Sequence, residues 1–430
     1  MKIYLDMIGC RLNQSEIEIM ARQFTAAGHK LVADPGEADL AVVNTCTVTA
    51  AAAADSRKTI RRLSRSGVER IITTGCWSSM HPDQARNLPG ITGIVSNAEK
   101  DTLVANLLGL EQELFDQEPL ERAIIPGRRL RTRAFIKAQD GCRHHCAFCI
   151  TTVARGESRS IPLEIVLNDI RAAVRGGAQE TVLTGVQLGS WGKDLDPALE
   201  LHDLVLAILK DTEVPRLRLS SIEPWDITPS LIDLIKEERV ARHLHLPLQS
   251  GSADVLRRMT RANTPGQYEE LVNQIRGAIP DIALTTDIMT GFPAETDDEF
   301  RESLDFIYRM NFADGHVFTY SAREGTPAVN FPHQVAHPVR KERNARIREL
   351  LKESAVKYRQ QFVGAELIAL WEQVETLEDN NHKATGLTDN YLRVEASAYP
   401  DVWNSFSAVR ITGINPRGVW GEIVNQAKKH

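Results

Sequence analysis

Short apolar runs alternate with segments of helical periodicity through the N-terminal part of the chain. The runs with the apolar content of buried strands are Lys2–Ile8, Ala38–Asn44, Glu69–Thr74 and Ile91–Ser96. Between them, Gln14–Ala27 and Ala50–Arg65 have the residue pattern of helices. Alternation of this kind is typical of a parallel sheet with helices on its faces. The pattern therefore predicts an open parallel α/β domain over residues 1–110.

The alternation resumes after residues 111–133, a polar segment interrupted by proline that we interpret as a linker. The next part of the chain contains about six strand–helix units, which predicts a (β/α)6 partial TIM barrel over residues 134–335. In such barrels the active site lies at the carboxyl ends of the strands. A connecting basic helix is predicted within residues 336–362. Five short strand patterns in residues 363–430 then predict a small β-barrel of the oligonucleotide-binding type.

Composition narrows the class of protein without identifying it. The chain has 430 residues and a formal net charge of −6. Its 42% hydrophobic and 25% charged residues are typical fractions for a globular protein. No apolar run approaches the roughly 20 residues of a membrane helix, and Met1–Asp6 has the pattern of a strand rather than a signal peptide. We therefore expect a cytoplasmic protein with no membrane segment and with reduced cysteines. The negative charge argues against a generally basic nucleic-acid-binding surface but leaves local basic patches open.

Half of the six cysteines lie in one short stretch with the spacing C-x3-C-x2-C. They are Cys142, Cys146 and Cys149. Three thiolates this close can hold a cubane iron–sulfur cluster and leave one iron free to bind another ligand. The alternative is a structural zinc site with His144 or His145 as the fourth ligand. No second cysteine pair or cysteine–histidine pair follows at zinc-ribbon spacing, so the pattern favours the cluster.

The other three cysteines are far apart in the sequence but occupy equivalent positions. Cys10, Cys46 and Cys76 each come just after the end of a predicted strand. Because the carboxyl ends of parallel strands share one edge of a sheet, we expect the three thiols to converge there. They could hold a second cluster, again with one open iron. The alternative is three buried structural thiols, since free cysteine is often buried.

The two cysteine sets resemble those of a known family. The C-x3-C-x2-C stretch resembles the signature of the radical S-adenosylmethionine (radical SAM) superfamily. The segments Gly9–Gln14, Asn44–Thr49 and Thr74–Cys76 resemble the N-terminal domain of the methylthiotransferases. The resemblance implies two [4Fe-4S] clusters and S-adenosylmethionine as cofactors. It also implies that the first cluster cleaves S-adenosylmethionine to a radical, that the second carries sulfur, and that a second S-adenosylmethionine supplies the methyl group.

Polar blocks on the predicted barrel strands match blocks of the same family. The resemblance implies that Gly176, Gly177 and Glu180 belong to the segment that meets the amino group of S-adenosylmethionine, although the glycine pair by spacing alone indicates only a turn. Four further candidates for cofactor contact are Gln187, Glu223, Gln249 and Asp287. One segment departs from the family pattern, because it reads Arg261-Ala262-Asn263-Thr264 where the family tends to have Arg-Arg-Tyr-Thr. A contact made there by the second arginine or the tyrosine is therefore in doubt.

Two basic runs are candidates for contact with RNA phosphates. One contains Arg128, Arg129, Arg131 and Arg133, and the other, on the long helix, contains Arg340, Lys341 and Arg343. The alternative for both runs is a solvated surface. The C-terminal barrel resembles the TRAM domain, an RNA-binding module. Its aromatic residues could stack on bases or fill its own core.

The resemblance also implies a reaction and a substrate. The reaction replaces an unactivated C–H bond by C–SCH3, and it needs a radical because such a bond is too strong for acid–base chemistry. The motifs around Cys10 and Gln187, with His316–Ser321, look closest to the branch that acts on N6-threonylcarbamoyladenosine at position 37 of tRNA. That branch implies the tRNA anticodon stem-loop as partner and a flavodoxin or ferredoxin as electron donor. The sulfur donor is left open.

Alternative substrates are N6-isopentenyladenosine in tRNA and an aspartate of a ribosomal protein. A hypothesis from another class is a non-catalytic iron–sulfur protein that binds RNA or carries electrons. It would explain the cysteines and the C-terminal barrel. It would not explain polar blocks on five barrel strands, which are typical of a lined ligand cavity.

Overall fold

The computed structural model describes residues 1–116, 132–377 and 381–426. Three of the basic residues named above, Arg128, Arg129 and Arg131, lie outside these ranges. The chain forms two compact units. Within the described ranges, no helix combines the length and the apolar character that crossing a bilayer requires.

The first unit contains Met1–His145 and Cys149–Val214. The strands of its N-terminal part are β1 (Lys2–Met7), β2 (Lys30–Leu31), β3 (Leu40–Thr45), β4 (Ile71–Gly75) and β5 (Ile91–Ile94). The helices are α1 (Arg11–Ala26), α2 (Ala50–Arg65), α3 (Cys76–Met80), α4 (Pro82–Arg86), α5 (Leu103–Leu108) and α6 (Glu113–Asp116). The strands form one parallel sheet in the order β2-β1-β3-β4-β5. Every residue of β3 is buried, as expected for a central strand covered on both faces.

Helix α1 begins at Arg11, earlier than the predicted start at Gln14. Cys10 has an extended backbone and precedes the first helical residue. The polar residues Asn13, Gln14 and Glu16 in the first turns are buried. An apolar pattern could not reveal these turns, because their inward side is polar.

The rest of the first unit carries the C-x3-C-x2-C stretch. Its strands are β6 (Arg133–Lys137), β7 (Gln139–Asp140), β8 (Arg159–Ser160) and β9 (Glu180–Thr184). Its helices are α7 (Thr151–Arg155), α8 (Leu163–Arg175) and α9 (Leu201–Asp211). β6 and β9 pair in parallel, with Lys137 opposite Thr184 at their carboxyl ends. β7 and β8 pair antiparallel, so the chain returns at Arg159 to the point from which the cysteine loop left.

The second unit contains Cys146–Phe148 and Pro215–His430. Its parallel strands are β10 (Arg216–Leu219), β11 (His243–His245), β12 (Ala283–Thr290) and β13 (Asp314–Thr319). Its helices are α10 (Pro229–Leu234), α11 (Ala253–Arg258), α12 (Pro265–Ala278), α13 (Asp297–Met310) and α14 (His337–Gln360). β11, β12 and β13 form a parallel sheet. Leu244, Leu284 and Ile288 are buried on one face of it, whereas His245 and Asp287 meet on the other, so this sheet has an apolar face and a polar face.

The five strands predicted near the C-terminus close into a barrel. They are β14 (Glu366–Thr376), β15 (His382–Thr388), β16 (Arg393–Ala398), β17 (Phe406–Asn415) and β18 (Gly418–Gln426). Their order around the barrel is β14-β15-β16-β18-β17. Trp371, Val394 and Val409 are fully buried in the barrel core. The barrel packs on the rest of the second unit, where Tyr391 stacks on His243 with 4.0 Å between ring centroids.

The predicted fold class is confirmed by the parallel N-terminal sheet, the closed C-terminal barrel and the strand–helix alternation between them. The six strands of that central part are β6 and β9 in the first unit and β10 to β13 in the second. The domain boundaries placed at residues 110, 133 and 335 stay predictions. The predicted linker lies partly outside the described residues.

Candidate functional site

The three N-terminal cysteines are brought together in the first unit. Cys10 follows β1, Cys46 follows β3, and Cys76 comes directly after β4. These strands are parallel neighbours, so their carboxyl ends share one edge of the sheet. A Cβ atom built on Gly9 would lie 2.6 Å from the Cys46 Sγ, which shows how closely the Cys10 loop approaches Cys46. The structure therefore shows the expected convergence, whereas the role of these thiols as cluster ligands stays a prediction.

The surroundings of these thiols suit a metal cluster. Burial, with the neighbouring Cys10 and Cys76 thiols, raises the pKa of Cys46 to about 11. A metal that binds here must therefore displace a proton from Cys46. The Nδ2 of Asn97 donates to the Cys76 Sγ at 3.6 Å, as donors beside a cluster thiolate do. A glycine is needed directly before Cys76, because Gly75 has φ of +94° and a side chain there would collide with the main chain of β3.

The part of the C-x3-C-x2-C stretch that belongs to the first unit contains Cys142 and Cys149. The main-chain N–H of His144 donates to the Cys142 Sγ, and that of Thr151 donates to the Cys149 Sγ, each at 3.4 Å. Hydrogen bonds to the sulfurs tune the reduction potential of a cluster. The side-chain oxygen of Gln187 lies 3.3 Å from the Cys142 Sγ, so this predicted residue is beside the loop.

Gln139 holds this loop in place, and sequence reasoning missed it. Its buried Nε2 donates to the carbonyls of Asp140 and Gly141, both at 2.8 Å. Its Oε1 accepts from the main-chain N–H of Gln187 at 2.7 Å. One amide therefore fixes the cysteine loop relative to the loop after β9. A lone glutamine in a strand gives no sequence signal for such a role.

The second unit contains Cys146, and a second missed residue lies beside it. The Nη1 of Arg261 is 3.8 Å from the Cys146 Sγ. The same guanidinium forms a two-pronged ion pair with Glu223, at 3.0 and 2.5 Å. It also donates to the Pro247 carbonyl at 3.0 Å and lies over the Trp225 ring at 4.6 Å from its centroid. Arg261 thus fixes the predicted residue Glu223 beside a predicted cluster ligand.

Gln249 and Asp287 are also neighbours in the second unit. The main-chain N–H of Gln249 donates to the Asp287 carbonyl at 2.8 Å. Gln249 has φ of +71°, an uncommon conformation for a residue with a side chain and one that is concentrated at functional sites. The Oδ2 of Asp287 lies 3.3 Å from the His245 Nε2. Its buried Oδ1 has no hydrogen-bond partner among the described groups, so it is an acceptor available to a ligand.

Gly176, Gly177 and Glu180, the candidates that the family resemblance assigned to the cofactor, lie before or at the start of β9, and their contact with the cofactor stays a prediction. Gly176 ends α8, and Glu180 is the first residue of β9. The N–H of Glu180 donates to the Thr132 carbonyl at 3.3 Å, just before the start of β6. Gln187 follows the opposite end of β9, about 15 Å away along a strand of this length. The glycine pair is therefore the helix-to-strand turn that its spacing indicates.

Arg343 is buried in the structure, and its predicted contact with RNA stays a prediction. Its side chain is 6% exposed and donates to Glu295 at 2.7 Å and to Asp297 at 2.6 Å. Arg340 is half-buried, and its guanidinium donates to the Tyr320 carbonyl at 2.5 Å. Both arginines hold α14 against the rest of the second unit. The sequence showed that both residues are charged, but it did not show the carboxylate and carbonyl groups to which they donate hydrogen bonds.

Two other described basic candidates also keep their predicted role as predictions. Lys341 is exposed on α14. Arg133 is partly buried, and one of its nitrogens lies 4.0 Å from Glu180. In the C-terminal barrel, Tyr399 and Trp420 are 70% and 47% exposed and could stack on bases.

The segment that departs from the family pattern begins with Arg261, which lies beside Cys146 as described above. Ala262 is exposed. Asn263 is buried, and its amide nitrogen and oxygen have no hydrogen-bond partner within the described structure. The departure therefore leaves a buried polar amide where the family tends to have a tyrosine.

The donor sets fit iron–sulfur clusters. Thiolates are the ligands these clusters require, and the chain offers two sets of three. In the part of the chain that the structure describes, no three His, Cys, Asp or Glu side chains are grouped to hold a single metal ion. The thiolates of a cubane bind different irons and so stand farther apart than the ligands of one ion. The N–H donors to the cysteine sulfurs also suit cluster thiolates.

Two family models match the chain. The model described as "Radical SAM superfamily" matches residues 136–307. The model described as "Uncharacterized protein family UPF0004" matches residues 2–96. The first range contains the C-x3-C-x2-C stretch, and the second contains the three cysteines of the N-terminal sheet. The two models therefore divide the cysteines as the sequence analysis does.

Curated relatives match over nearly the whole chain. The threonylcarbamoyladenosine tRNA methylthiotransferase MtaB of Bacillus subtilis is 33% identical over 421 residues, which cover 94% of this chain and 92% of the relative. A tRNA-2-methylthio-N(6)-dimethylallyladenosine synthase of Caldicellulosiruptor saccharolyticus is 30% identical, over 97% of this chain and 91% of the relative. Among solved structures, the radical S-adenosylmethionine methyltransferase TsrM of Kitasatospora setae has a TM-score of 0.55 at 15% identity, covering 88% of this chain and 79% of that one. At this identity the structural match supports the fold alone.

Proposed function

Since the chain belongs to the family of radical SAM tRNA methylthiotransferases, we propose that it adds a methylthio group to C2 of N6-threonylcarbamoyladenosine at position 37 of tRNA. The family's cofactors are S-adenosylmethionine and two [4Fe-4S] clusters. The observation that carries the proposal is the convergence of a second set of three thiols, because radical cleavage of S-adenosylmethionine needs one cluster only. A second set gives the sulfur a place to bind.

Each residue set has a proposed task. Cys142, Cys146 and Cys149 would hold one cluster, and Cys10, Cys46 and Cys76 the other. When bound, the clusters and S-adenosylmethionine supply the electron, the hydrogen-abstracting radical, the sulfur and the methyl group. The carboxylates of Glu223 and Asp287 are acceptors suited to the ammonium and hydroxyl donors of S-adenosylmethionine. Arg261 holds Glu223 in position through its two-pronged ion pair, and Gln139 holds Gln187 at the cysteine loop.

The choice of threonylcarbamoyladenosine follows the relatives named for that nucleoside, five of which are 31–33% identical to the chain. Relatives named for dimethylallyladenosine are 28–30% identical. This difference favours the first substrate over the second. In both cases the modified base is a purine of a single-stranded loop, the kind of target that RNA-binding proteins read by splaying bases out.

The proposed partners follow from this substrate. The anticodon stem-loop of tRNA would meet the exposed Lys341 and the outer face of the C-terminal barrel. A flavodoxin or ferredoxin would supply electrons. A tRNA substrate would place the activity in the cytoplasm.

Two cysteine variants test the division of labour under anaerobic conditions. Cys146→Ala should abolish formation of 5′-deoxyadenosine from S-adenosylmethionine. Cys46→Ala should keep part of that cleavage while methylthiolation of tRNA stops. Equal loss of both activities in a folded Cys46→Ala protein would contradict the proposal. If the reconstituted and reduced wild-type protein forms no 5′-deoxyadenosine, the non-catalytic iron–sulfur hypothesis replaces it.

Nucleoside analysis tests the substrate. Mass spectrometry of tRNA from cells that lack the protein should show loss of 2-methylthio-N6-threonylcarbamoyladenosine and accumulation of the unthiolated nucleoside. Loss of 2-methylthio-N6-isopentenyladenosine instead would assign the other branch. Re-expression of the wild-type chain, but not of Cys146→Ala, should restore the missing nucleoside.

A further inference from the structure

A network of buried charges joins the two cysteine-bearing regions of the first unit. Its members are Glu16 on α1, Lys100 before α5, Lys137 and Asp140 beside the cysteine loop, and Arg155 at the end of α7. Each of the five side chains is at most 3% exposed. Buried charges of this kind persist only when they are paired and hydrogen-bonded.

Arg155 contacts residues of both regions. Its Nη1 donates to Asp140 Oδ1 at 2.9 Å and to Glu16 Oε1 at 3.0 Å. Its Nη2 donates to Asn13 Oδ1 at 2.8 Å. Asn13 Oδ1 is also the acceptor for the Cys10 Sγ, at 3.6 Å. The side-chain amide of Asn13 therefore links Arg155 to Cys10 of the N-terminal set, although Arg155 follows the C-x3-C-x2-C stretch in the chain.

A second contact joins the same regions. The Nδ2 of Asn97 donates to the Ala154 carbonyl at 2.6 Å and to the Cys76 Sγ at 3.6 Å. The end of α7 is thus held beside both Cys10 and Cys76. A substitution of Arg155 should therefore alter the surroundings of the N-terminal cysteines.

The charge of Arg155 acts on the thiols of the N-terminal set. The three cations of the network, Lys100, Lys137 and Arg155, face the two buried carboxylates and a third carboxylate, Asp101, which is 56% exposed and lies 2.8 Å from Lys137. Burial works to lower the pKa of Arg155, but Glu16 and the Cys76 thiolate hold it well above its usual range.

We propose that Arg155 is a positioning residue that ties the two cysteine loops together and raises the reduction potential of the cluster on the N-terminal cysteines. The inference rests on the proposed function, because it takes Cys10, Cys46 and Cys76 as cluster ligands. Reduction adds a negative charge to a cluster, and a fixed cation nearby in a poorly screened interior stabilises the reduced state. A guanidinium keeps its proton at every physiological pH, so its contribution is constant.

The test measures one cluster alone. In a variant with Cys142, Cys146 and Cys149 all changed to Ala, only the N-terminal cluster would remain. On this background Arg155→Gln removes the charge, Arg155→Lys keeps it, and Glu16→Gln removes the opposing carboxylate at constant shape. Arg22→Gln is the matched control, because Arg22 is a partly buried arginine of the same unit that pairs with Asp169 at 2.6 Å, outside the network.

The readout is an electron-paramagnetic-resonance redox titration, with iron and sulfide assays of loading. Arg155→Gln should shift the balance between reduced and oxidised cluster at least tenfold toward the oxidised form, about 59 mV for one electron. Glu16→Gln should shift it the other way, and Arg155→Lys and Arg22→Gln should stay near the parent value. A purely structural role would lower cluster loading without shifts of opposite sign.

The outcomes separate the inference from the proposed function. Shifts of Arg155→Gln and Glu16→Gln in the same direction, or no shift in loaded protein, overturn the inference alone. If Arg155→Gln does not fold or load, the Glu16→Gln variant decides alone. A shift toward the reduced form supports the inference, and a shift toward the oxidised form or no shift overturns it. If the triple-alanine parent holds no cluster although it is folded, the assignment of the N-terminal cysteines fails, and with it the proposed function.

Discussion

Arg343 shows how far the role of one residue depends on its partners. On a helix rich in lysine and arginine it looks like a phosphate contact. In the structure its guanidinium is buried against Glu295 and Asp297, and Phe300 packs on its face at 5.2 Å. Lys341, two residues earlier on the same helix, is exposed. Of these two cations on one helix, Arg343 therefore stabilises the fold, whereas Lys341 is accessible for contact with RNA.

Arg343→Ala should lower the free energy of unfolding by about 3–5 kcal/mol at neutral pH, because it leaves Glu295 buried and uncompensated. Burial raises the pKa of Glu295 even with Arg343 beside it. When a carboxyl group has a raised pKa in the folded protein, the protein loses stability as pH rises through that pKa. The deficit of the variant should therefore shrink as pH falls and Glu295 takes up a proton. Urea unfolding at pH 5 and pH 7 measures this.

Lys341→Ala is the matched control for that experiment. It should change stability by less than about 0.5 kcal/mol. It should weaken tRNA binding and reduce the salt dependence of binding by about one unit of slope. A larger stability loss than that of Arg343→Ala would mean that the exposed and buried roles are assigned the wrong way round.

At the scale of elements, the N-terminal site is formed by strand ends and by the turns that follow them. β1, β3 and β4 end at one edge; Cys46 and Cys76 come directly after β3 and β4, and Cys10 follows the end of β1 by three residues. The turn from β4 into α3 passes so close to β3 that only glycine fits at Gly75. The geometry of this turn therefore determines where the third thiol lies.

Gly75→Ala should destabilise the first unit by about 2–5 kcal/mol, since it combines an unfavourable backbone conformation with a main-chain clash. It should also lower the iron content by about four atoms, the content of one cubane. Gly67→Ala is the control, because Gly67 has φ of +89° but nothing within 4 Å of a built Cβ. The control should cost about 1 kcal/mol and keep its iron. Iron assays and thermal unfolding check both, and equal iron loss in the two variants would refute the argument.

At the scale of the whole molecule, the C-terminal barrel is an integral part of the second unit. Arg218 is almost fully buried and donates to the carbonyls of Thr388 and Asp389, both at 3.0 Å. Arg242 pairs with Asp389 at 2.6 Å. The Tyr391 ring stacks on the ring of His243 and also lies 5.5 Å from the guanidinium carbon of Arg218. A module that served RNA binding alone would not need this many buried contacts.

Tyr391→Ala should therefore lower stability by about 2 kcal/mol and make the connection between α14 and β14 more susceptible to protease. Tyr399→Ala is the control, because Tyr399 is 70% exposed in the same barrel. It should change stability by less than about 0.5 kcal/mol. If Tyr391→Ala resists protease as the wild type does, the docking of the barrel does not depend on this stack.

The sequence by itself determined the elements and the grouping of the cysteines. Periodicity located α2 at Ala50–Arg65, where the structure has it, because a helix that buries one side must repeat apolar residues at fixed spacing. The positions of Cys10, Cys46 and Cys76 after strands were enough to predict their convergence, since parallel strands share their carboxyl edge.

Only the tertiary structure decided which polar residues meet. The network of Arg155 with Glu16 and Asn13 joins positions more than a hundred residues apart, with separations of 139 and 142. The contacts of Arg261 and the burial of Arg343 have the same origin. Hydrophobic periodicity carries the information for elements, whereas a polar side chain has no period, and its partner is fixed only when the chain has folded.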